Sequence, residues 1–318
     1  MRSYKVILDV DPGIDDAIAI IIALQSVDIE VLAITTVNGN TGSRAGALNT
    51  LKLLHALGRT DIPVLQGATK PLIKRRTVRQ ERFHGKGGLG RLQLEVPKNK
   101  KILSKIQLSD FIVSTLKNYR RHEVSIVATG PLTNIAKLFI DKKSSSIINN
   151  LREISVMGGA FGLANKIFGS FNHSTEFNFY CDPEAANVVI NQNVNVNRKF
   201  VGLDVTTNPV CAVGPELLRE IKNIKGKRSL KRIMCPLLGF AISTRDICNL
   251  HDVFAVALLE QPSLFKLKKG HIEVMLNGSM RGQSKFIEQN ASHNNIFVAA
   301  NVNEKGFNCF LRSRLLKN

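Results

Sequence analysis

Short apolar runs alternate with longer segments of helical periodicity along the first two thirds of the chain. The runs predict five β-strands, at residues 5–9, 31–36, 125–128, 154–157 and 199–202. The segments between them predict five helices, at residues 15–25, 43–57, 110–119, 132–139 and 183–191. This alternation predicts an α/β fold with a mainly parallel, Rossmann-like central sheet flanked by helices. A ligand site is then expected at the carboxyl ends of the strands.

The last third of the chain has a less regular pattern. Residues 230–244 and 252–260 are predicted to be helical, and residues 272–276 and 296–302 to be extended. No internal repeat or low-complexity linker divides the sequence, so we expect one domain over residues 1–318. Residues 67–100 are charged and interrupted by glycine, which predicts a loop or lid beside the site.

Four aspartates gather at the junction of the first predicted strand and helix: Asp9, Asp11, Asp15 and Asp16. Like charges packed between apolar elements repel one another unless something neutralises them. A divalent cation would do so, and hard oxygen ligands favour Ca²⁺ or Mg²⁺. The alternative is helix capping, with Asp11 as the N-cap and Pro12 at the first helical position. Capping accounts for one or two of these acids but does not require all four together.

Composition limits the classes of partner. The net charge of +19 would suit nucleic acid, and the basic residues concentrate at 70–91 and 222–232. However, the chain has no tryptophan and only 6% aromatic residues, so it offers no evident stacking surface for single strands. We therefore expect a solvated basic surface and no nucleic-acid partner. No apolar run is long enough to span a bilayer. The five unpaired-looking cysteines and the N-terminus without a secretory pattern favour a cytoplasmic protein.

Polar side chains follow several predicted strands, where a shared site would form. Asn40 follows the second strand, Thr129 the third and Met157 ends the fourth. Each of these positions is also compatible with an ordinary turn. Glu176 and Asn178 are two residues apart, so they would share one side of an extended segment and could hold neighbouring sugar hydroxyls.

Two histidines are weaker candidates for the same site. His251-Asp252 precedes an apolar helix, where Asp252 could simply be an N-cap and His251 a loop residue. His84 lies on the predicted lid, where a surface histidine is the commoner explanation. The sequence contains neither GxSxG nor GxxxxGK[ST], so it supports neither a serine hydrolase nor nucleotide phosphate binding.

Taken together, these segments resemble the inosine-uridine-type nucleoside hydrolases. The segment of residues 9–17, DVDPGIDDA, is similar to the family signature nearly letter for letter, and the supporting matches occur in the family's order. They are ITTVNGN at 34–40, ATGPLTN at 128–134, VMGGA at 156–160, EFNFYCDPEAA at 176–186, and His251-Asp252. The resemblance extends from residue 5 to about residue 260.

The resemblance implies calcium-dependent hydrolysis of the N-glycosidic bond of ribonucleosides, giving ribose and a free base. It implies a Ca²⁺ ion held by four groups: the carboxylates of Asp11, Asp16 and Asp252 and the backbone carbonyl of Thr129. Asp11 would also take a proton from the attacking water. The residues expected to grip the ribose are Asp15, Asn40, Glu176 and Asn178, with Met157 nearby. His251 would assist the departing base, and His84 would lie over it. A homodimer or homotetramer is also implied.

The chain departs from the family pattern in one place. The family usually has an asparagine six residues before the site glutamate, where this chain has Ser170, and the nearest asparagine is Asn172. Either Asn172 reaches the 5′-hydroxyl through a shifted loop, as we expect, or the contact with the 5′-hydroxyl is weaker in this chain.

Two other functions fit parts of the sequence. An aspartate-based phosphatase would use Asp9-Val10-Asp11 but has no place for Asp15-Asp16. A non-catalytic binder of nucleosides or nucleic acid would account for the charge.

Overall fold

Nine strands of the described chain join in one continuous sheet. The computed structural model describes residues 4–73, 80–97, 102, 107–145, 147–164, 170, 175–243, 246–289 and 295–316. The strands are β1 (Tyr4–Val10), β2 (Ile29–Thr36), β3 (Val64–Gln66), β4 (Val124–Ala128), β5 (Glu153–Met157), β6 (Asn197–Val201), β7 (Phe265–Val274), β8 (Ser284–Glu288) and β9 (Ile296–Val302). Their order is β3-β2-β1-β4-β5-β6-β9-β7-β8. All neighbours pair in parallel except β7, which is antiparallel to both β9 and β8.

Helices cover both faces of this sheet. They are α1 (Ile14–Gln25), α2 (Ser43–Ala56), α3 (Glu81–His84), α4 (Leu108–Lys117), α5 (Thr133–Ile140), α6 (Lys142–Ser145), α7 (Phe177–Cys181), α8 (Pro183–Asn191), α9 (Leu203–Thr206), α10 (Pro215–Asn223), α11 (Arg228–Ser243), α12 (His251–Glu260) and α13 (Glu304–Leu316). The sheet separates two apolar clusters, and α1, α11, α12 and α13 contribute to the larger one. Among the residues described, no helix is both long and apolar enough to cross a membrane.

The strand order places a crevice beside β1. The chain builds β1, β2 and β3 in one direction and then returns to place β4 on the other side of β1. In a parallel sheet, a crevice forms where successive strands are added on opposite sides of a strand, and ligands bind at this topological switch point. A backbone bond of 2.8 Å from the Thr129 N–H to the Asp9 carbonyl joins the two strand ends at this point. Residues directly after β1 and β4 are therefore close in space.

Two buried helices point their N-termini at this crevice. Every residue of α1 from Ile14 to Ala23 is buried, and so is every residue of α12 from Asp252 to Glu260. Such helices are apolar all round because they are covered on all sides, and here α1 and α12 pack against each other. Backbone N–H groups at a helix N-terminus favour negative charge, so both helices stabilise the carboxylates of their first turns.

The mainly parallel α/β fold is confirmed, with small shifts at element ends. Gly202 was expected to end a strand, but it caps α9 instead. The predicted helix at 110–119 begins two residues earlier, at Leu108, and ends at Lys117. The extended segment predicted at 272–276 overlaps only the end of a longer strand, β7 (Phe265–Val274), which pairs with β9 over its first half and with β8 over its second. The predicted end of α11 at residue 244 lies outside the described residues.

Candidate active site

A cavity of about 390 Å³ opens at the crevice. Most of the predicted site residues line it: Asp15, Asn40, His84, Thr129, Met157, Glu176, Asn178, His251 and Asp252. Asp11 and Asp16 lie below this surface and are completely buried. The residues therefore come together from strand ends and helix starts that are far apart in sequence.

Asp11 is held by the turn that follows β2. The Asn40 N–H donates to Asp11 Oδ2 at 2.6 Å, whereas Asp11 Oδ1 has no hydrogen-bond partner among the described residues. A Cβ atom on Gly39 would lie 1.9 Å from Asp11 Oδ2, so only glycine allows this approach. Burial, and then the charge of Asp16, raises the pKa of Asp11 well above its ordinary value. One anchored oxygen and one unpartnered oxygen suit a carboxylate that accepts a proton.

The capping alternative for Asp11 is wrong. The N-cap of α1 is Gly13, whose N–H donates to Asp16 Oδ2 at 2.8 Å. Asp16 Oδ1 also accepts from the Thr129 hydroxyl at 2.7 Å and from the Asp11 N–H at 3.2 Å. Asp16 thus ties the first turn of α1 to the ends of β1 and β4.

Three buried carboxylates meet above this point. Oxygens of Asp15, Asp16 and Asp252 lie within 4.8 Å of one another, a separation that allows them to share a metal ion. Burial, and then the charge of Asp16, raises the pKa of Asp15 to about 7. Burial, followed by the charges of Asp15 and Asp16, holds the pKa of Asp252 well above its ordinary value. Without a cation, the raised pKa values of Asp15 and Asp252 mean that these two carboxyls retain protons that free carboxyls would lose.

The donor set fits a hard cation. Asp11 Oδ1 and Asp15 Oδ1 are buried and have no hydrogen-bond partner among the described residues, and an ion would supply the missing partner. The set differs from the predicted one in two respects. Asp15, expected to hold ribose, belongs to the close carboxylate group. The Thr129 carbonyl, expected as a ligand, also accepts from Asn178 Nδ2 at 2.7 Å, which leaves its second lone pair for an ion.

Glu176 and Asn178 lie in the cavity wall, where the segment is helical and not extended. Glu176 is the N-cap of the short helix α7, and its carboxylate accepts from the N–H groups of Asn178, Phe179 and Gly159 at 2.7–3.0 Å. Asn178 lies inside that helix, and its Nδ2 also donates to the Met157 carbonyl at 3.2 Å. Burial raises the pKa of Glu176, and the backbone N–H groups oppose that rise.

The two histidines lie against different elements. His251, the first residue of α12, has its Nδ1 2.8 Å from the Thr206 hydroxyl, which fixes the ring against α9. His84 Nδ1 accepts from the Ile14 N–H at 3.2 Å, so the proton of a neutral ring is on Nε2. The 3.7 Å approach of the same Nδ1 to Asp15 is then not an ion pair.

Comparison with known proteins agrees with this arrangement. The sequence model of the inosine-uridine preferring nucleoside hydrolases matches residues 6–308. The chain belongs to this family. It is a hydrolase that acts on the N-glycosyl bonds of ribonucleosides. The family is one of metal-dependent hydrolases, and the carboxylate cluster is a possible metal site. The phosphatase alternative is therefore wrong.

Relatives of this nucleoside hydrolase match it over nearly its whole length. Uridine nucleosidase 1 of Arabidopsis thaliana is 34% identical and covers 99% of this chain and 94% of its own. The pyrimidine-specific ribonucleoside hydrolase RihA of Escherichia coli O1:K1 is 33% identical, with 98% of both chains covered. Among solved structures, the plant nucleoside hydrolase PpNRh1 has a TM-score of 0.87 at 28% identity, with 99% of this chain and 100% of its own covered. A purine-preferring ribonucleoside hydrolase from Gardnerella vaginalis has a TM-score of 0.86 at 27% identity over 98% of both chains.

Sequence reasoning missed several residues of the nucleoside hydrolase cavity. Thr206, which holds His251, is the last residue of α9, the short helix that follows β6, and no motif in the sequence marks it. Ser170 lines the cavity, and its hydroxyl accepts from the Phe177 N–H at 2.9 Å. Asn172, the residue predicted to reach the 5′-hydroxyl, lies outside the described residues. Of the predicted lid, Gln80, Phe83 and His84 line the cavity.

Proposed function

We propose that this protein hydrolyses ribonucleosides with the help of a calcium ion held by Asp11, Asp16, Asp252 and the Thr129 carbonyl. The observations that carry the proposal are the close approach of the buried Asp16 and Asp252 carboxylates, with Asp15 beside them, and the buried Asp11 Oδ1, which has no hydrogen-bond partner among the described residues. Calcium suits such a set because it accepts six to eight oxygen ligands in flexible geometry. When bound, the ion would orient a water molecule and lower its pKa.

Asp11 is proposed as the base of the reaction. The water oxygen forms a bond to C1′, its proton passes to the Asp11 carboxylate, and the electrons of the broken C1′–N bond leave with the nucleobase. The Asn40 N–H holds the other Asp11 oxygen, which keeps the carboxylate aimed during this transfer. Positive charge develops on the ribose as the bond breaks, and the surrounding carboxylates stabilise it.

The ribose is proposed to bind between Asp15, Asn40, Glu176 and Asn178, beside Met157. Support comes from their common place on the cavity wall and from the hydrogen bonds that immobilise Glu176 and Asn178. Rigid acceptors and donors of this kind select hydroxyl groups because a missing hydroxyl leaves them unpaired. Asn172 remains the proposed partner of the 5′-hydroxyl.

Ribonucleosides are expected to react far faster than their 2′-deoxy forms. A buried polar group without its partner costs about 1–3 kcal/mol, so kcat/KM should fall by about tenfold to a hundredfold or more. Ribose and deoxyribose release from inosine, uridine and their deoxy forms measures this ratio. Equal turnover of the two sugars would contradict the assigned ribose contacts.

His251 is proposed to protonate, or to hydrogen-bond, the departing base, and His84 to lie over it. Replacing Thr206 by valine should lower kcat/KM for nucleosides by about tenfold, because the imidazole loses its hydroxyl contact. Thr206→Ser keeps that hydroxyl and is the matched control. p-Nitrophenyl ribofuranoside has a leaving group that needs no acid, so Thr206→Val should affect its hydrolysis much less. An equal loss on both substrates would indicate a general packing defect.

The preferred nucleobase is proposed from the named relatives. The named relatives include a uridine nucleosidase, a pyrimidine-specific hydrolase and a purine-preferring hydrolase, so we propose that the substrates include uridine and inosine. A single domain, a homodimer or homotetramer, a cytoplasmic location and the absence of a nucleic-acid partner also remain predictions. Ribose release from a nucleoside panel, with and without EDTA, tests the proposed function directly.

A further inference from the structure

One wall of the cavity is formed by the segment that leads into α12. Ile247, Cys248 and Asn249 all line the cavity, as does His251 two residues later. The backbone of this segment is fixed, because the N–H and carbonyl groups of Cys248 each bond to Val213 at 2.8 Å. The position of Asn249, two residues before the histidine assigned to the departing base, is therefore fixed by the backbone.

The Asn249 amide differs from the other asparagine amides of the cavity. Asn40 donates through its Nδ2 to Asp16, and Asn178 donates to the Thr129 carbonyl, so each is tied to the protein. Asn249 is partly exposed, yet its Oδ1 is covered from solvent and has no hydrogen-bond partner among the described residues. A covered acceptor without a partner is destabilising, so such groups are usually explained by a ligand or a function.

We propose that Asn249 determines base specificity by accepting a hydrogen bond from a ring N–H of the nucleobase. This inference rests on the proposed function and adds a specificity-determining residue to it, one that recognises the lactam edge shared by bases such as uracil and hypoxanthine. A lactam edge presents an N–H next to a carbonyl, and the side-chain amide presents an acceptor next to a donor, so the two match. Because Oδ1 is covered in the unliganded protein, the partly exposed amide turns toward the cavity when such a base binds, and the base then supplies the partner that Oδ1 lacks.

The specificity can be tested first with the wild-type protein. N-methylation removes the ring N–H and leaves the rest of the nucleoside in place. Uridine should be preferred to 3-methyluridine, and inosine to 1-methylinosine, by about tenfold or more in kcat/KM. Equal hydrolysis of a nucleoside and its methylated form would overturn the inference without the use of any variant.

Variants then assign the preference to Asn249. In Asn249→Ala the preference for the unmethylated nucleoside should fall to about twofold or less, whereas Asn249→Asp, which keeps an acceptor, should retain it. Ile247→Ala is the matched control because it removes an apolar side chain from the same wall, and it should keep the wild-type ratio. Each ratio is taken within one variant, so the fraction of correctly folded protein cancels.

A substrate without a nucleobase separates this inference from the proposed function. The ratio of kcat/KM for uridine to that for p-nitrophenyl ribofuranoside should fall about tenfold in Asn249→Ala. An Asn249→Ala protein that keeps the full methyl discrimination would overturn the role of Asn249 while leaving the hydrolase intact. If the wild-type protein released ribose from none of these compounds, the proposed function would fail, and the inference with it.

Discussion

Asp11→Asn is expected to lower kcat by about 10²–10⁴-fold, the range typical for loss of a general base. The loss should be similar for nucleosides and for p-nitrophenyl ribofuranoside, because the attacking water needs a proton acceptor whatever group departs. KM should change much less, because Asp11 lies below the cavity surface and contacts the turn at Asn40. Steady-state kinetics with both substrates measure the effect.

Asp9 provides a matched control in the same sequence motif. It is also buried, and its Oδ2 also lacks a hydrogen-bond partner among the described residues. However, its Oδ1 accepts from Thr35 and Asn134, which do not line the cavity, whereas Asp11 contacts Asn40, which does. Asp9→Asn keeps an acceptor for both bonds, so kcat should stay within about tenfold of the wild-type value. A loss in Asp9→Asn as large as that in Asp11→Asn would mean that any buried change at this strand end disables the enzyme, and Asp11 would lose its assigned role.

Chelation of the metal is expected to abolish ribose release and to make stability fall as pH rises. In the metal-free protein the pKa of Asp15 is about 7, against an ordinary value of 3.8. The folded state therefore binds more protons than the unfolded state between these values. Its contribution to stability is complete below about pH 4 and is lost as pH rises through about 7. Thermal unfolding in EDTA across this range should show a decreasing melting temperature.

Calcium should reverse this trend. A cation bound to the ionised cluster stabilises the folded state, so calcium should raise the melting temperature most at the upper end of the pH range. In Asp252→Asn, one carboxylate of the cluster is gone, and both the pH dependence and the calcium effect should shrink. A wild-type melting temperature that calcium leaves unchanged near pH 7 would argue against a calcium site here.

Elements with strong apolar patterns were predictable from the sequence. The helix Pro183–Asn191 and the strand Ile296–Val302 have the predicted bounds, and the buried run at α1 was recognised from its continuous apolar residues. The short strand β3 was missed because three residues carry too little pattern. β7 was recognised only in part because the lysines at 266, 268 and 269 interrupt its apolar pattern.

The positions of site side chains were predictable only where a motif signalled them. The acids at residues 9–16 stand out in a basic sequence, so their gathering at one site could be anticipated. The fold of residues 176–178 could not, because an acid two residues from an amide suits a strand and a helix cap equally well. Thr206 and Asn249 were missed because their importance depends on contacts across the fold that spacing along the chain does not reveal.

The pairing of α1 with α12 brings Asp16, near the start of the chain, against Asp252, in its last quarter. During synthesis the first strands emerge from the ribosome long before α12 is made. Until α12 has been translated, Asp15 and Asp16 repel each other and lack the third carboxylate with which they could share a cation. A nascent chain that stops before residue 252 is accordingly expected to lack both the proposed cation site and the activity.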